Sequence, residues 1–357
     1  MQARPVTLQD VASAAGVSYQ TVSRVLNHPA SVADRTRAKV EAAMADLNYV
    51  PNRVAQQLAG KRSRTLGLAT SDLALLAPAQ IASAIQHQAS KLGYRLVIAM
   101  AGPEGAEGAV HELMAQRVDA LLINLPLDSD RASAIAAQAG NIPCLFLDVP
   151  ADAPVNSCQF SAETGARQGA EHLLSLGHRR IALLNGPAHS VAARARCQAW
   201  LDVLQEHRLQ PHSVLTGDWS AQSGYQAVMS LSGRPLPDAL LVANDQMALG
   251  ALRALYQAGV RIPADISVVG YDDTVESAWY QPPLTTVRQD LQQLGKCSVS
   301  WLVKKLEGDN PTEPLLPFAT QLVVRETTAP PDGEPVGIKD LAGELRRLAH
   351  LLERQQK

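Results

Sequence analysis

The chain has 357 residues, 46% hydrophobic and 18% charged, with a net charge of −2. That length suits two or three domains, and no apolar run reaches the roughly 18 residues a membrane span needs. The −2 excludes a generally basic nucleic-acid coat, yet it hides an asymmetry. Residues 1–64 hold nine Lys or Arg against four Asp or Glu, a net of +5, while the remainder holds 23 against 30, a net of −7. A small basic head on a large acidic body points to a head that meets a polyanion. Met1 to Asp10 carries no apolar stretch of the kind a secretory signal needs. Cys144, Cys158, Cys197 and Cys297 lie far apart with no C-x-x-C pair, so they read as isolated thiols and not as a metal site. The expected compartment is the cytoplasm, and neither metal nor cofactor is expected.

The first 50 residues read as three short helices. Thr7 is placed to cap a helix carrying Leu8, Val11 and Ala12, which Gly16 ends. Ser18 is placed to cap a second, with Val22, Val25 and Leu26 apolar, and Asn27-His28-Pro29 stops it. A third spans about 34–48, with Val40, Met44 and Leu47 on one side. Three short helices with a Gly in the first tight turn fit a helix-turn-helix head over 1–50. Pro51 and Gly60 then bracket a helical piece too short to be stable alone, which gives a separate segment over 51–62.

From residue 65 short apolar runs alternate with helical stretches. The runs are 66–69, 96–100, 120–123, 144–149, 181–184, 239–243 and 266–270, and the helices include 81–92, 165–176, 193–206, 247–258 and 291–306. Such repeated units predict parallel sheets flanked by helices. Their number suits an α/β core of two lobes over 63–328, with a ligand cleft between them. Residues 327–337 are rich in Pro and Gly and read as a linker, bounded at 329–337. Beyond it Ile338, Leu341, Leu345, Leu348 and Leu352 step by 3, 4, 3 and 4. That heptad seam predicts an oligomerisation helix over 338–357, the alternative being a helix folded back on its own body.

At Val6-Thr7-Leu8-Gln9-Asp10-Val11-Ala12 and from Gly16 to Asn27 the chain resembles the LacI/GalR family of bacterial repressors. The likeness extends to Pro51–Lys61, Ala243–Gly250, Ile266–Thr274 and the leucine tail, and so covers essentially the whole chain. It implies a two-lobed core like that of periplasmic binding proteins, a DNA-binding head and a sugar-responsive repressor of a lactose-type operon. The implied partners are double-stranded operator DNA, a β-galactoside inducer of the allolactose kind, and other copies of the chain, as a homodimer assembling to a homotetramer.

In such heads the second helix enters the major groove with its N-terminal residues against base edges. Here Gln20 can make two hydrogen bonds to an adenine edge, and Arg24 can grip guanine O6 and N7 one turn on. Tyr19 adds ring area and a hydroxyl, and the resemblance assigns base reading to all three. Thr7, Ser18, Ser23, Asn27 and Thr36 are candidate phosphate contacts, which set register and not sequence. Asn52 to Ala59 resembles the family's hinge helix, in which a Leu enters the minor groove as a wedge, here Leu58.

For the cleft, Asn244 and Asp272 follow apolar strands and should project from strand ends. Asp148 and Asn124 end two further runs, Arg196 offers several donors to neighbouring hydroxyls, and Trp219 offers a flat face. The resemblance implies that these six meet a sugar, with Leu75, Ile81 and Phe160 as apolar wall and Gln289 near the cleft. Leu76, Ala79, Ala192, Leu291 and Gln86 depart from the pattern of the family members it most resembles. Three other readings stand beside this one: an exported sugar-binding protein, an enzyme, and a repressor answering a different sugar or a purine. Against an enzyme, there is no G-x-G-x-x-G opening a helix, no P-loop, no H-E-x-x-H and no G-x-S-x-G. Asp272-Asp273 could imitate a catalytic pair, but adjacent strand residues point opposite ways.

Overall fold

The computed structural model describes residues 6–27, 31–50, 63–102, 104–231, 235–309, 315 and 317–331. The chain divides into two compact units, 1–63 and 64–357.

The first unit is built on three helices. α1 (Leu8–Ala15) starts at Thr7 in a capping box with Asp10, and Gly16 closes it. α2 (Tyr19–Asn27) and α3 (Asp34–Asp46) follow. Val11, Ala12, Val22, Val25, Val40 and Ala43 meet in one buried core, with Leu8, Leu26, Met44 and Leu47 around it. These are the apolar faces that the spacing predicts.

The second unit holds two sheets. In the N-lobe β1 (Thr65–Thr70), β2 (Arg95–Met100), β3 (Ala120–Asn124) and β4 (Cys144–Phe146) form a parallel sheet of order β2-β1-β3-β4. Successive residues serve opposite faces, so Leu66, Leu68 and Leu122 pack on one side and Leu121 and Ile123 on the other. That is why its central strands read as continuous apolar runs. α4 (Leu76–Lys91), α5 (Gly105–Ala115) and α6 (Ser129–Ala139) flank it.

The C-lobe sheet has the order β10-β9-β8-β7-β5-β6. Its strands are β5 (Ile181–Asn185), β6 (Val214–Thr216), β7 (Ala239–Val242), β8 (Ser267–Asp272), β9 (Thr285–Arg288) and β10 (Gln321–Val323). β10 pairs antiparallel to β9, and the other pairs are parallel. Its helices are α7 (Ala162–Ser175), α8 (Val191–Glu206), α9 (Ala221–Met229) and α10 (Asp245–Gln257). α11 (Leu291–Glu307) returns to the N-lobe, where Leu291, Leu294 and Leu302 join its core. The chain therefore passes between lobes more than once, and Phe160 and Phe318 pair where two passages run side by side.

Several expectations need correction. The 144–149 run is a strand only to Phe146; Leu147 still donates its N–H to Ile123 O, and the chain then runs on through Asp148 and Val149 along the cleft wall. The sequence pattern does not disclose helices 105–115, 129–139 and 221–229 or strands β6, β9 and β10. Residues 327–331 are no free linker. Val268 donates its N–H to Thr327 O, Ala329 N–H reaches Ser267 Oγ, and His178 Nε2 meets Ala329 O at 2.9 Å. The core therefore runs past 328 to at least Pro331. The heptad residues Ile338, Leu341, Leu345, Leu348 and Leu352 lie outside the described residues, as do Asn52 and Leu58.

Two features brace the C-lobe. Asp245, at the start of α10, is fully buried and accepts from Thr274 N–H, Ser277 Oγ and Thr286 Oγ1 at 3.1, 2.6 and 2.5 Å. Each donor offsets part of the cost of burying a carboxylate. α9 and α10 also touch backbone to backbone at Gly250, where a Cβ would lie 1.8 Å from Ala221 O. Gly250→Ala must push these helices apart, and overpacking of this kind costs about 1–3 kcal/mol. Urea unfolding should read that loss; an unchanged midpoint would show slack between the helices.

Candidate functional site

In the first unit the candidate base readers share one exposed face. Thr21 donates its N–H to Ser18 Oγ at 3.2 Å, so Ser18 caps α2 and brings Tyr19 and Gln20 to its start. Gln20 and Arg24 are one turn apart and both are exposed. Tyr19 is 51% exposed, so its ring is not part of the core. The opposite face of α2 is anchored by Val22 and Val25. Ser23 and Thr36 are half-buried, and Asn27 is the last residue of α2. Thr7 has a structural task, since its hydroxyl donates to Asp10 Oδ2 at 2.7 Å.

In the second unit a cavity of about 900 Å³ opens between the lobes. It lies at the carboxyl ends of the parallel strands, over the points where strand order reverses, between β1 and β3 and between β5 and β7. All ten cleft candidates line it. Leu75, Ile81, Asn124, Asp148 and Phe160 come from the N-lobe side. Arg196, Trp219, Asn244, Asp272 and Gln289 come from the C-lobe and its passage back. Among the departing positions Ala192 and Leu291 are on the wall, while Leu76 and Ala79 are not. Leu76 instead donates its N–H to Gln246 Oε1 at 3.2 Å, a bond from one lobe to the other. His189, Arg194 and Asp218, which are not among the sequence candidates, also line the cavity. The strand-end rule was the available signal, because they sit in the segments after β5 and β6.

The polar groups form a connected set. Asp272 Oδ1 accepts from Gln289 Nε2 at 2.7 Å and lies 3.7 Å from Arg196 Nη2. Arg196 is buried, and its Nη1 donates to Ala243 O. Asn244 is partly committed to structure: Oδ1 caps α10 through Met247 N–H at 2.8 Å, and Nδ2 donates to Trp219 O at 3.0 Å. Asn124 Nδ2 donates to Thr70 Oγ1 at 3.3 Å. Asp148 lines the cavity with Ala192 at the start of α8. Burial pushes the Asp148 carboxyl up, against the pull of Arg196 and of the Ala192 backbone. Asp273 turns elsewhere, to Arg288 at 2.6 Å and Arg325 at 2.5 Å, so the two adjacent carboxylates do not share a ligand. A bidentate acceptor, a guanidinium and two amides on one side, with Leu75, Ile81 and Phe160 on the other, suit a polyhydroxylated ring with an apolar face.

Burial pushes the Asp272 carboxyl up to about 7, with Arg196 pulling down, Asp245 adding to the rise and Gln289 opposing it. The folded chain then holds a proton that the unfolded chain releases near its ordinary 3.8. This group's contribution to stability is therefore greatest in acid and is lost as pH rises towards about 7. Urea unfolding of the chain and of Asp272→Asn should show the unsubstituted chain losing ground to the variant between about pH 4 and pH 7. A difference that stays flat over that range would contradict the shift.

Comparison with known proteins places both units. Residues 7–52 match the family described as bacterial regulatory proteins, lacI family, and residues 170–328 match the periplasmic binding protein-like domain. The lactose operon repressor of Escherichia coli (strain K12) is 52% identical over 356 residues, 98% of each chain. A crystal structure of the lac repressor dimer bound to operator and the anti-inducer ONPF superposes with a TM-score of 0.84 at 53% identity. It covers 91% of this chain and 100% of that one. A lac repressor bound to ONPG in the repressed state matches with the same score, identity and coverage. With that identity sustained along nearly its whole length, the chain belongs to the lacI family of bacterial regulatory proteins.

Proposed function

We propose that this chain is a sequence-specific transcriptional repressor of a lactose-type operon, released from its operator by a β-galactoside bound between the lobes of its core. The observation that carries this reading is the cleft. Its ten candidate side chains surround one cavity in a chain 52% identical to a lactose operon repressor. In this reading Tyr19, Gln20 and Arg24 read bases, while Thr7, Ser18, Ser23, Asn27 and Thr36 contact phosphates. Asn52 and Leu58 belong to a minor-groove hinge. Arg196, Asn244, Asp272, Asp148 and Asn124 hold sugar hydroxyls, with Gln289 orienting Asp272. Leu75, Ile81, Phe160 and Trp219 cover ring carbons. No catalytic role is assigned, and the working compartment is the cytoplasm. Among the described residues no helix is long and apolar enough to cross a membrane.

The mechanism is one of linkage. Inducer must bind the low-operator-affinity arrangement more tightly than the other, and operator then weakens inducer binding by the same factor. Two heads of a dimer suit a pseudo-palindromic operator. The heptad tail would join two dimers, so that one tetramer holds two operators at raised effective concentration.

A gel shift on a lac-type operator tests the whole reading. The chain should retain operator DNA and release it on addition of a β-galactoside. A complex indifferent to galactosides but released by a purine or another sugar would overturn the ligand assignment. The tail is tested by truncation after Pro331, which keeps the bonds of Thr327 and Ala329 to the core. The truncated chain should sediment as a dimer that still answers inducer, and a tetramer in the ultracentrifuge would refute the tail's role.

A further inference from the structure

Tyr271 sits inside β8, where alternation reads it as core, and it is 1% exposed. The structure places it beneath Arg196. The guanidinium carbon lies 3.7 Å from the centre of the Tyr271 ring, close enough for a desolvated cation–π contact. The other restraints on that guanidinium are fewer than its five donors. Nη1 reaches Ala243 O, Nη2 stands 3.7 Å from Asp272 Oδ1, and Nε has no hydrogen-bond partner among the described residues. Trp219 is more distant, at 5.8 Å. Of the two aromatic rings, that of Tyr271 is therefore much the nearer to the guanidinium carbon.

The ring itself is held on its far side. Tyr271 Oη donates to Ala162 O at 3.2 Å, at the first residue of α7. The approach there is so close that a Cβ on Gly165 would stand 2.5 Å from the hydroxyl. At Asp272 φ is +121°, which breaks the strand's alternation immediately after Tyr271. β8 can thus offer a π face and a carboxylate, from adjacent residues, to one guanidinium. Tyr271 is not itself part of the cavity wall.

We propose that Tyr271 is the positioning residue for Arg196, its ring holding the guanidinium flat and aimed at ligand hydroxyls, so that it sets galactoside affinity without touching the ligand. This rests on the sugar-binding reading of the cleft.

The test uses the full chain and ONPG as probe, with Tyr271→Leu, Tyr271→Met and Tyr271→Phe made side by side. Met fills the space without a ring face, should Leu fail to fold. Calorimetry should show ONPG affinity falling about tenfold or more in Leu and Met, and Phe should restore it to within about threefold. A second readout needs no ligand. Arg196 draws the Asp272 carboxyl down, so releasing the guanidinium should raise that group's titration in the Leu and Met variants, while Phe leaves it near its original place. Carbon-13 NMR of the aspartate carboxyls, assigned with Asp272→Asn, reads it. The proposal is overturned if Phe falls as far as Leu and Met, or if the Asp272 titration does not move in the ringless variants. If the unsubstituted chain ignores ONPG, the ligand reading fails, and the carboxyl titration still decides the role of Tyr271.

Discussion

The buried guanidinium of Arg196 is the charge around which the cleft is arranged. Asp272 on the C-lobe and Asp148 on the N-lobe both feel it, and burial raises both carboxyls against its pull. A third carboxylate, Asp245, lies behind Asp272 and adds to its rise, while its own donors are hydroxyls and a backbone N–H. With neither Asp272 nor Asp148 fully compensated, neutral hydroxyl donors are welcome and further negative charge is not. A neutral sugar meets that condition.

The frame that supports this charge follows from strand direction. Parallel sheets end their strands on the same side, and two such sheets facing each other across a cleft bring many strand ends together. Each end contributes one or two residues, so the site draws on positions from Leu75 to Gln289. The polar members lie mainly on the C-lobe, and the apolar members mainly on the N-lobe. A ligand with one polar and one apolar aspect therefore spans both lobes, and its affinity depends on how they are set against each other.

How far the sequence discloses this depends on the kind of residue. Central strands are buried on both faces, so runs such as Ala120-Leu121-Leu122-Ile123 announce themselves. β9 does not, because Thr285 and Thr286 look polar while being wholly buried. Their hydroxyls are spent on the backbone of Arg325 and on Asp245. α9 hides for another reason, since Gly224 and Gly250 serve a close helix contact that no local pattern encodes. Asn244 and Asp272 are legible as strand ends, whereas Asp148 and Asn124 without the family resemblance read as turn or cap residues; the cap is in fact made by Asn244. The contact of Tyr271 with Arg196 has no sequence signal, because it depends on how two side chains from different elements meet and not on their spacing.

The short stretch at 327–331 sets a length. Its bonds to Val268, Ser267 and His178 fix it to the C-lobe as far as Ala329, and Pro331 lies against Gly177. Between Pro331 and Ile338, where the heptads begin, six residues intervene. Fully extended, they allow about 25 Å. In the tetramer proposed above, a bundle of four such tails would have to gather its cores within that reach. Under that proposal the span between two operators would be decided by the DNA between them and by the size of the cores, with little slack supplied by the protein.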